Sequence, residues 1–246
     1  MACSAEASIQ KPGSDRSIPN TGHSKTVFFR GGLVPILDRY PSHSIASPER
    51  RAKAEKGDAE AQFFLGWFYE SGREMDRTEA LKWIRKSAGQ NYFDAQAELG
   101  NIYARGVLVA KDEAEAANWY LKAAEQGDWF SQIMLGDMYS NGNGVPKDEV
   151  EAGQWYRKAA EQDYGSAQFH FGNMCADGKG VPKDEVEAYK WLLLAAAHKH
   201  EKAKQAVELL EPKLTSEQRA EGQRMAREFK PKSEWRKLRG LPSPAD

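Results

Sequence analysis

The sequence has only two cysteines, Cys3 and Cys175, and no CxxC pair. That excludes a disulfide framework and the common cysteine-based zinc sites. No run of about 20 apolar residues is present, so no segment reads as a membrane-spanning helix. No sign of charge dominates: 35 Lys+Arg stand against 36 Asp+Glu, a net charge of −1. Bulk charge therefore argues neither for nucleic acid nor for a membrane surface. The start, MACSAEASIQ, lacks the basic and apolar regions of a secretory signal. The stretch to Ser24 is serine-rich, but Glu6 and Asp15 are out of place in an organelle transit peptide. A reducing, cytoplasmic setting is the expectation.

What the chain does have is a period. GNGVPKDEVEA at 142–152 returns as GKGVPKDEVEA at 178–188, an offset of 36. Trp83, Trp119, Trp155 and Trp191 keep that offset, while Gly66, Gly100, Gly136 and Gly172 follow at 34, 36 and 36. A fixed period of this size marks a repeat architecture. Around the glycines the text reads AQFFLGWFYESG, AQAELGNIYARG, SQIMLGDMYSNG and AQFHFGNMCADG. Around the tryptophans it reads EALKWIRKSA, EAANWYLKAA, EAGQWYRKAA and EAYKWLLLAA.

Each unit reads as two helices. Ala61, Leu65 and Phe68, then Ala95, Leu99 and Ile102, fall at helical spacing. Ala80, Trp83, Ile84 and Ser87, matched by Ala116, Trp119, Tyr120 and Ala123, do the same in the second helix. A glycine inside a helix costs about 1 kcal/mol against alanine. Its return in every unit predicts a close helix approach that leaves no room for a Cβ. Asp76, Asp112, Asp148 and Asp184 each precede a glutamate by three residues, which predicts a capping box at each second helix. Gly57, Asn91, Gly127 and Asp163 stand where those helices end, and all tolerate a left-handed C-cap; Lys199 ends the series less aptly.

The pattern A-Q-x-x-L-G-x-x-Y-x-x-G, then a Gly-Val turn, Asp, and A-x-x-W-Y-x-K-A-A resembles the Sel-1-like repeat family. The resemblance covers about residues 54–197, with Cys175 in place of the tyrosine found at 69, 103 and 139. It implies an all-α fold: a right-handed α/α superhelical solenoid of four helical-hairpin repeats with a C-terminal helical cap. Residues 50–57, RRAKAEKG, look like the end of a preceding second helix. Some cysteine-rich relatives of this family bind β-lactams, but each of their repeats carries a cysteine pair. This chain has one cysteine in the array, so a β-lactam-binding hydrolase is not carried over.

The expected organisation has four parts. Residues 1–46 form a largely disordered extension, 47–200 the repeat array, 201–230 capping helices, and 231–246 a basic tail. Within the extension, TVFFRGGLVPIL at 26–37 is apolar enough to need burial. It caps the array, fills its groove as an internal ligand, or awaits a partner. Thr215 with Gln218 predicts another capping box. Lys230, Lys232, Arg236, Lys237 and Arg239 surround Trp235, so the tail either packs on the cap or touches nucleic acid or acidic lipid.

No constellation reads as catalytic, metal-binding or cofactor-binding. His198 and His200 are two apart, a poor spacing for two ligands on one helical face. The carboxylates near Asp148 recur in register, as capping requires and a catalytic pair does not. The GNG and GKG loops lack the Lys-Ser/Thr of a phosphate-cradling loop. Cys175 sits on a core face with no basic neighbour in sequence to activate it.

The remaining surface is a stripe along the first helices, the concave lining of such a solenoid. It reads Glu60, Phe64, Trp67, Ser71; Asp94, Glu98, Asn101, Arg105; Phe130, Met134, Asp137, Asn141; Ser166, His170, Asn173, Asp177. The stripe varies while the core repeats. Phe64, Trp67, Phe130 and Met134 offer apolar anchors, and Asn101, Asn141 and Asn173 can pair with a peptide backbone. The expected function is a non-catalytic scaffold or adaptor binding a protein or peptide. Its predicted groove is Phe64, Trp67, Glu98, Asn101, Arg105, Met134, Asp137, Asn141, His170 and Asn173. The alternative is a subunit or regulator of a larger assembly, possibly associated with nucleic acid.

Overall fold

The computed structural model describes residues 47–71 and 76–232, all within the compact unit Tyr40–Asp246. The apolar segment 26–37 and the tail beyond residue 232 lie outside the described residues. Among the described residues there are eleven α-helices, one short 3-10 turn at Glu211–Lys213 and no strand. They are α1 (Pro48–Glu55), α2 (Ala59–Ser71), α3 (Arg77–Gly89), α4 (Phe93–Arg105), α5 (Glu113–Glu125), α6 (Trp129–Asn141), α7 (Glu149–Ala160), α8 (Gly165–Asp177), α9 (Glu185–Ala197), α10 (Glu201–Leu210) and α11 (Ser216–Arg227).

Four hairpins, α2/α3, α4/α5, α6/α7 and α8/α9, stack in chain order. Small residues set the spacing within each. A Cβ on Gly100 would lie 2.5 Å from the Tyr120 ring, and one on Gly136 2.6 Å from the Tyr156 ring. The helix-interior glycines thus admit the side chain of the facing helix. Ala95, Leu99 and Ile102 line that seam fully buried, as do Ala116, Tyr120 and Ala123. Phe68 departs from the expected core: it is half-buried, its ring edge-on to Tyr69, and Phe63 is the buried aromatic of α2. Trp119 is also only half-buried, with Lys122 over its face at 4.0 Å.

The repeated loop has two physical reasons. Gly142 and Gly178 close α6 and α8 in the left-handed conformation, at φ +77° and +71°. Two residues on, Gly144 and Gly180 press against the backbone carbonyls of Glu113 and Glu149, the first residues of the preceding second helices. A side chain there would collide with backbone, which cannot swing aside. The loop text recurs because the same loop rests twice on the same helix start.

The caps divide into a confirmed half and a corrected half. Asp76, Asp112, Asp148 and Asp184 accept from backbone N–H groups of the first turn that follows. The glutamates do not reach back in α5, α7 and α9. The N–H groups of Asp112, Asp148 and Asp184 are already donated to the carbonyls of Tyr103, Tyr139 and Cys175. Glu115 and Glu187 instead accept from the indole N–H of Trp119 and Trp191, at 2.8 and 2.7 Å. A reciprocal box forms at Thr215 and Gln218, as expected. The helix exits also follow the expectation: Gly57, Asn91, Gly127, Asp163 and even Lys199 all have positive φ.

Between repeats the joint is polar. Gln62, Gln96, Gln132 and Gln168 are buried, and each donates to a carbonyl at the end of the preceding second helix: Ala54, Ala88, Ala124 and Ala160. Three of them accept in turn from a glutamine just past the second helix of their own hairpin, from Gln90, Gln126 and Gln162 at 2.7, 2.7 and 2.8 Å. At the fourth joint His198 takes the glutamine's place and bonds Asp163 at 2.9 Å. The side-chain oxygen of Gln168 is left without a hydrogen-bond partner.

α1 plays the part of a second helix. Arg51 donates to the Tyr69 hydroxyl at 2.9 Å, just as Arg85 donates to Tyr103 at 3.0 Å, each across 18 residues. At the other end α10 and α11 both pack on α9. Phe229 sets its ring edge-on to Trp191 at 5.3 Å. Lys232 then reaches back to Glu161, donating from its backbone N–H to the carbonyl and from Nζ to the carboxylate, both at 2.7 Å.

Candidate partner-binding surface

The stripe lies on α2, α4, α6 and α8, the first helices of the four hairpins. The helical period of 3.6 places positions three and four apart on one face, and the glycine seam turns the opposite face inward. Two rungs are tied to the second helices. Tyr120 donates its hydroxyl to Asn101 Oδ1 at 2.9 Å, and Tyr156 donates to Asp137 Oδ1 at 2.5 Å. Burial first, then the neighbouring Asp137, holds the Tyr156 hydroxyl far above the ordinary phenol range, so it stays a neutral donor.

The other predicted residues take varied roles. Asn101 Nδ2 donates to Glu98 at 3.3 Å. Asn141 is exposed and donates to the Asp137 backbone carbonyl at 2.8 Å. The Arg50 guanidinium lies over the Phe64 ring at 5.1 Å. Trp67 and Asn173 are half-buried, and Arg105 is exposed at the end of α4. Met134 is half-buried where two core clusters meet. His170 stacks flat on Tyr156, ring centres 4.9 Å apart and planes 9° apart. Burial lowers its pKa, Asp137 opposes, and His200 and Lys202 lower it further. Structure thus joins Asp137, Tyr156 and His170 in one cluster across three helices.

His170 faces aromatic rings, Tyr156 and, edge-on, Phe169 at 5.5 Å. Cys175 is buried, and burial, with Glu187 and Asp184 beside it, pushes its thiol up to about 12. Among the described residues no cluster of His, Cys, Asp or Glu could hold a metal ion. No described helix is long and apolar enough to cross a membrane.

Sequence reasoning missed two features. One is the glutamine joint, signalled by a Gln that never changes at 62, 96, 132 and 168. The other is that the stripe runs on into α10. Leu209 stands 36 residues after Asn173, in the same register, and is 70% exposed.

Comparison with known proteins agrees with this architecture. The Sel1 repeat model matches residues 59–92, 93–128, 129–164 and 165–200, which are the four hairpins with their closing turns. Among solved structures, the chain is similar to a protective antigen of uropathogenic Escherichia coli strains with an SLR fold, at 32% identity and TM-score 0.65 over 80% of this chain. It is similar also to a Sel1 repeat protein from Oxalobacter formigenes, at 32% identity and TM-score 0.64 over 70% of this chain. It spans 44% and 57% of those two proteins' lengths. No curated protein sequence matches it. The four hairpins, their glycine seams and the recurring text have one source: the chain belongs to the Sel1 repeat family.

Proposed function

We propose that the protein is a non-catalytic interaction module, a scaffold or adaptor that binds a protein or peptide segment along its first-helix stripe. The predicted contact residues are Phe64, Trp67, Glu98, Asn101, Arg105, Met134, Asp137, Asn141, His170 and Asn173. One observation carries this reading. The positions that build the array are near-constant from repeat to repeat: the seam glycine, the joint glutamine and the capping aspartate. The stripe on the same helices changes at every rung. A uniform frame with a variable lining gives a repeat array selectivity without a catalytic site. A cytoplasmic setting fits the free, buried thiol of Cys175.

The test is capture from the source cell with the full-length chain. The pair Trp67→Ala and Asn173→Ala is compared with Lys86→Ala and Lys122→Ala on the second helices. The reading expects a partner lost with the first pair and kept with the second. The reverse result moves recognition to the second-helix face.

A further inference from the structure

We propose that the junction between α9 and α10 is a pH-sensitive latch: uncharged His200 caps and docks the first turn of α10, and mild acid releases that turn while α9 stays in place. Three of the chain's five histidines, His170, His198 and His200, fall at this one junction. At the equivalent positions elsewhere stand groups that do not titrate near neutral pH. His198 stands where the earlier repeats have Gln90, Gln126 and Gln162, and His200 where they have Tyr92, Asp128 and Tyr164. His170 follows Phe64, Glu98 and Met134 in the stripe.

Geometry ties the neutral form of His200 to the docked turn. Its Nδ1 accepts from the Ala203 N–H at 3.2 Å, and that N–H is shared with the His200 carbonyl at 2.9 Å. Its ring lies on Phe169 of α8, ring centres 4.6 Å apart and planes 27° apart. A protonated Nδ1 is a donor and cannot accept. Two N–H groups would then face each other, at the helix end that already carries the positive pole of the dipole. Turning the ring away would break its stack on Phe169.

The surroundings oppose charge on this ring. Burial, then Lys202, lowers the His200 pKa below the ordinary 6.5. From α8, His170 adds a second imidazole; burial lowers its pKa, Asp137 of α6 opposes, and His200 and Lys202 lower it further. Lys199 precedes His200 in the chain, and the Glu201 carboxylate is paired with Lys204 at 2.7 Å. The folded chain therefore binds fewer protons at His200 than the unfolded chain. The stabilisation is complete above pH 6.5 and is lost as pH falls below it. His198 works in the opposite sense: its Nε2 bonds Asp163 Oδ1 at 2.9 Å, and a charge on the ring strengthens that bond. Acid thus holds the end of α9 and loosens the start of α10. α10 carries Leu209, so its release also loosens the last rung of the stripe; that consequence rests on the interaction reading, and the latch does not.

Hydrogen–deuterium exchange of the full-length chain, corrected for the pH dependence of intrinsic exchange, tests the latch from about pH 7.5 to about pH 5. Protection of α10 is expected to fall about tenfold relative to α9. His200→Asn keeps an N-cap that does not titrate, and the fall should vanish in it. His198→Gln restores the residue of the other repeats and should leave the fall in place. An NMR titration of the His200 ring should show a midpoint below 6.5.

Equal loss of protection in α9 and α10 is global acid unfolding and overturns the latch. A fall that persists in His200→Asn, or that His198→Gln abolishes, overturns it too. So does a His200 ring that titrates at or above 6.5, whatever the stability of the variants.

Discussion

Gly100 and Tyr120 define the seam of the second repeat: a Cβ on the glycine would sit 2.5 Å from the tyrosine ring. Alanine there gains about 1 kcal/mol of helix propensity. It must also displace a ring that is 2% exposed and hydrogen-bonded to Asn101. Overpacking of this kind costs about 1–3 kcal/mol, so Gly100→Ala should be destabilising by about 1 kcal/mol. Gly89 is the contrast: nothing lies within 4 Å of its would-be Cβ. Gly89→Ala should therefore stabilise by about 0.5–1 kcal/mol. Urea denaturation of the two variants reads both signs.

The buried glutamines should tie each hairpin together as well as to the one before it. Gln132 is 4% exposed, donates to the Ala124 carbonyl at 3.1 Å and accepts from Gln162 at 2.8 Å. Gln132→Met removes one partner each from the Ala124 carbonyl, which keeps the Gly127 N–H, and from the Gln162 amide, which keeps the Gly127 carbonyl, so each lost bond should cost about 0.5–1.5 kcal/mol. A double-mutant cycle of Gln132→Met with Gln162→Met should give a coupling of about 1 kcal/mol. Additive losses would show that the bond contributes nothing within the hairpin.

The half-formed caps separate two neighbouring carboxylates. Asp148 accepts from Val150 and Glu151 N–H groups, so Asp148→Ala should cost about 1 kcal/mol. The Asp148 N–H is already donated to Tyr139. Glu151→Ala should then cost well under about 0.5 kcal/mol. Equal losses at the two positions would restore the reciprocal box.

Cys175 should be silent until the chain unfolds. Its thiol is pushed up from 9.0 to about 12, chiefly by burial. Above pH 9 the unfolded chain loses that proton while the folded chain keeps it. The stabilisation is thus full below the unfolded value and lost as pH rises from 9 toward 12. In a Cys3→Ser background, alkylation near neutral pH should require denaturant, and stability should fall more steeply above pH 9 than in Cys175→Ala. Rapid labelling of the native protein would contradict the burial.

The fold was legible because its causes are local and written four times. The 36-residue offset, the seam glycine and the left-handed exits each recur with a backbone reason. What escaped were contacts between units. Glu115 looks like a capping partner for Asp112 in sequence, but a carbonyl 9 residues upstream already holds that N–H, so the glutamate turns to Trp119. Asn101 reads as a free groove asparagine, yet its oxygen is held by Tyr120, 19 residues on. Such pairings depend on which hairpin faces which. Leu209 was passed over because α10 departs from the glycine pattern, with Glu208 standing 36 residues after Gly172, although its register on the stripe is intact.

Hydrogen–deuterium exchange of the full-length chain, alone and with its captured partner, tests the central claim most directly. The account predicts new protection on α2, α4, α6 and α8, with α3, α5, α7 and α9 unchanged. Protection confined to the second helices, or to the segments outside the array, would contradict it.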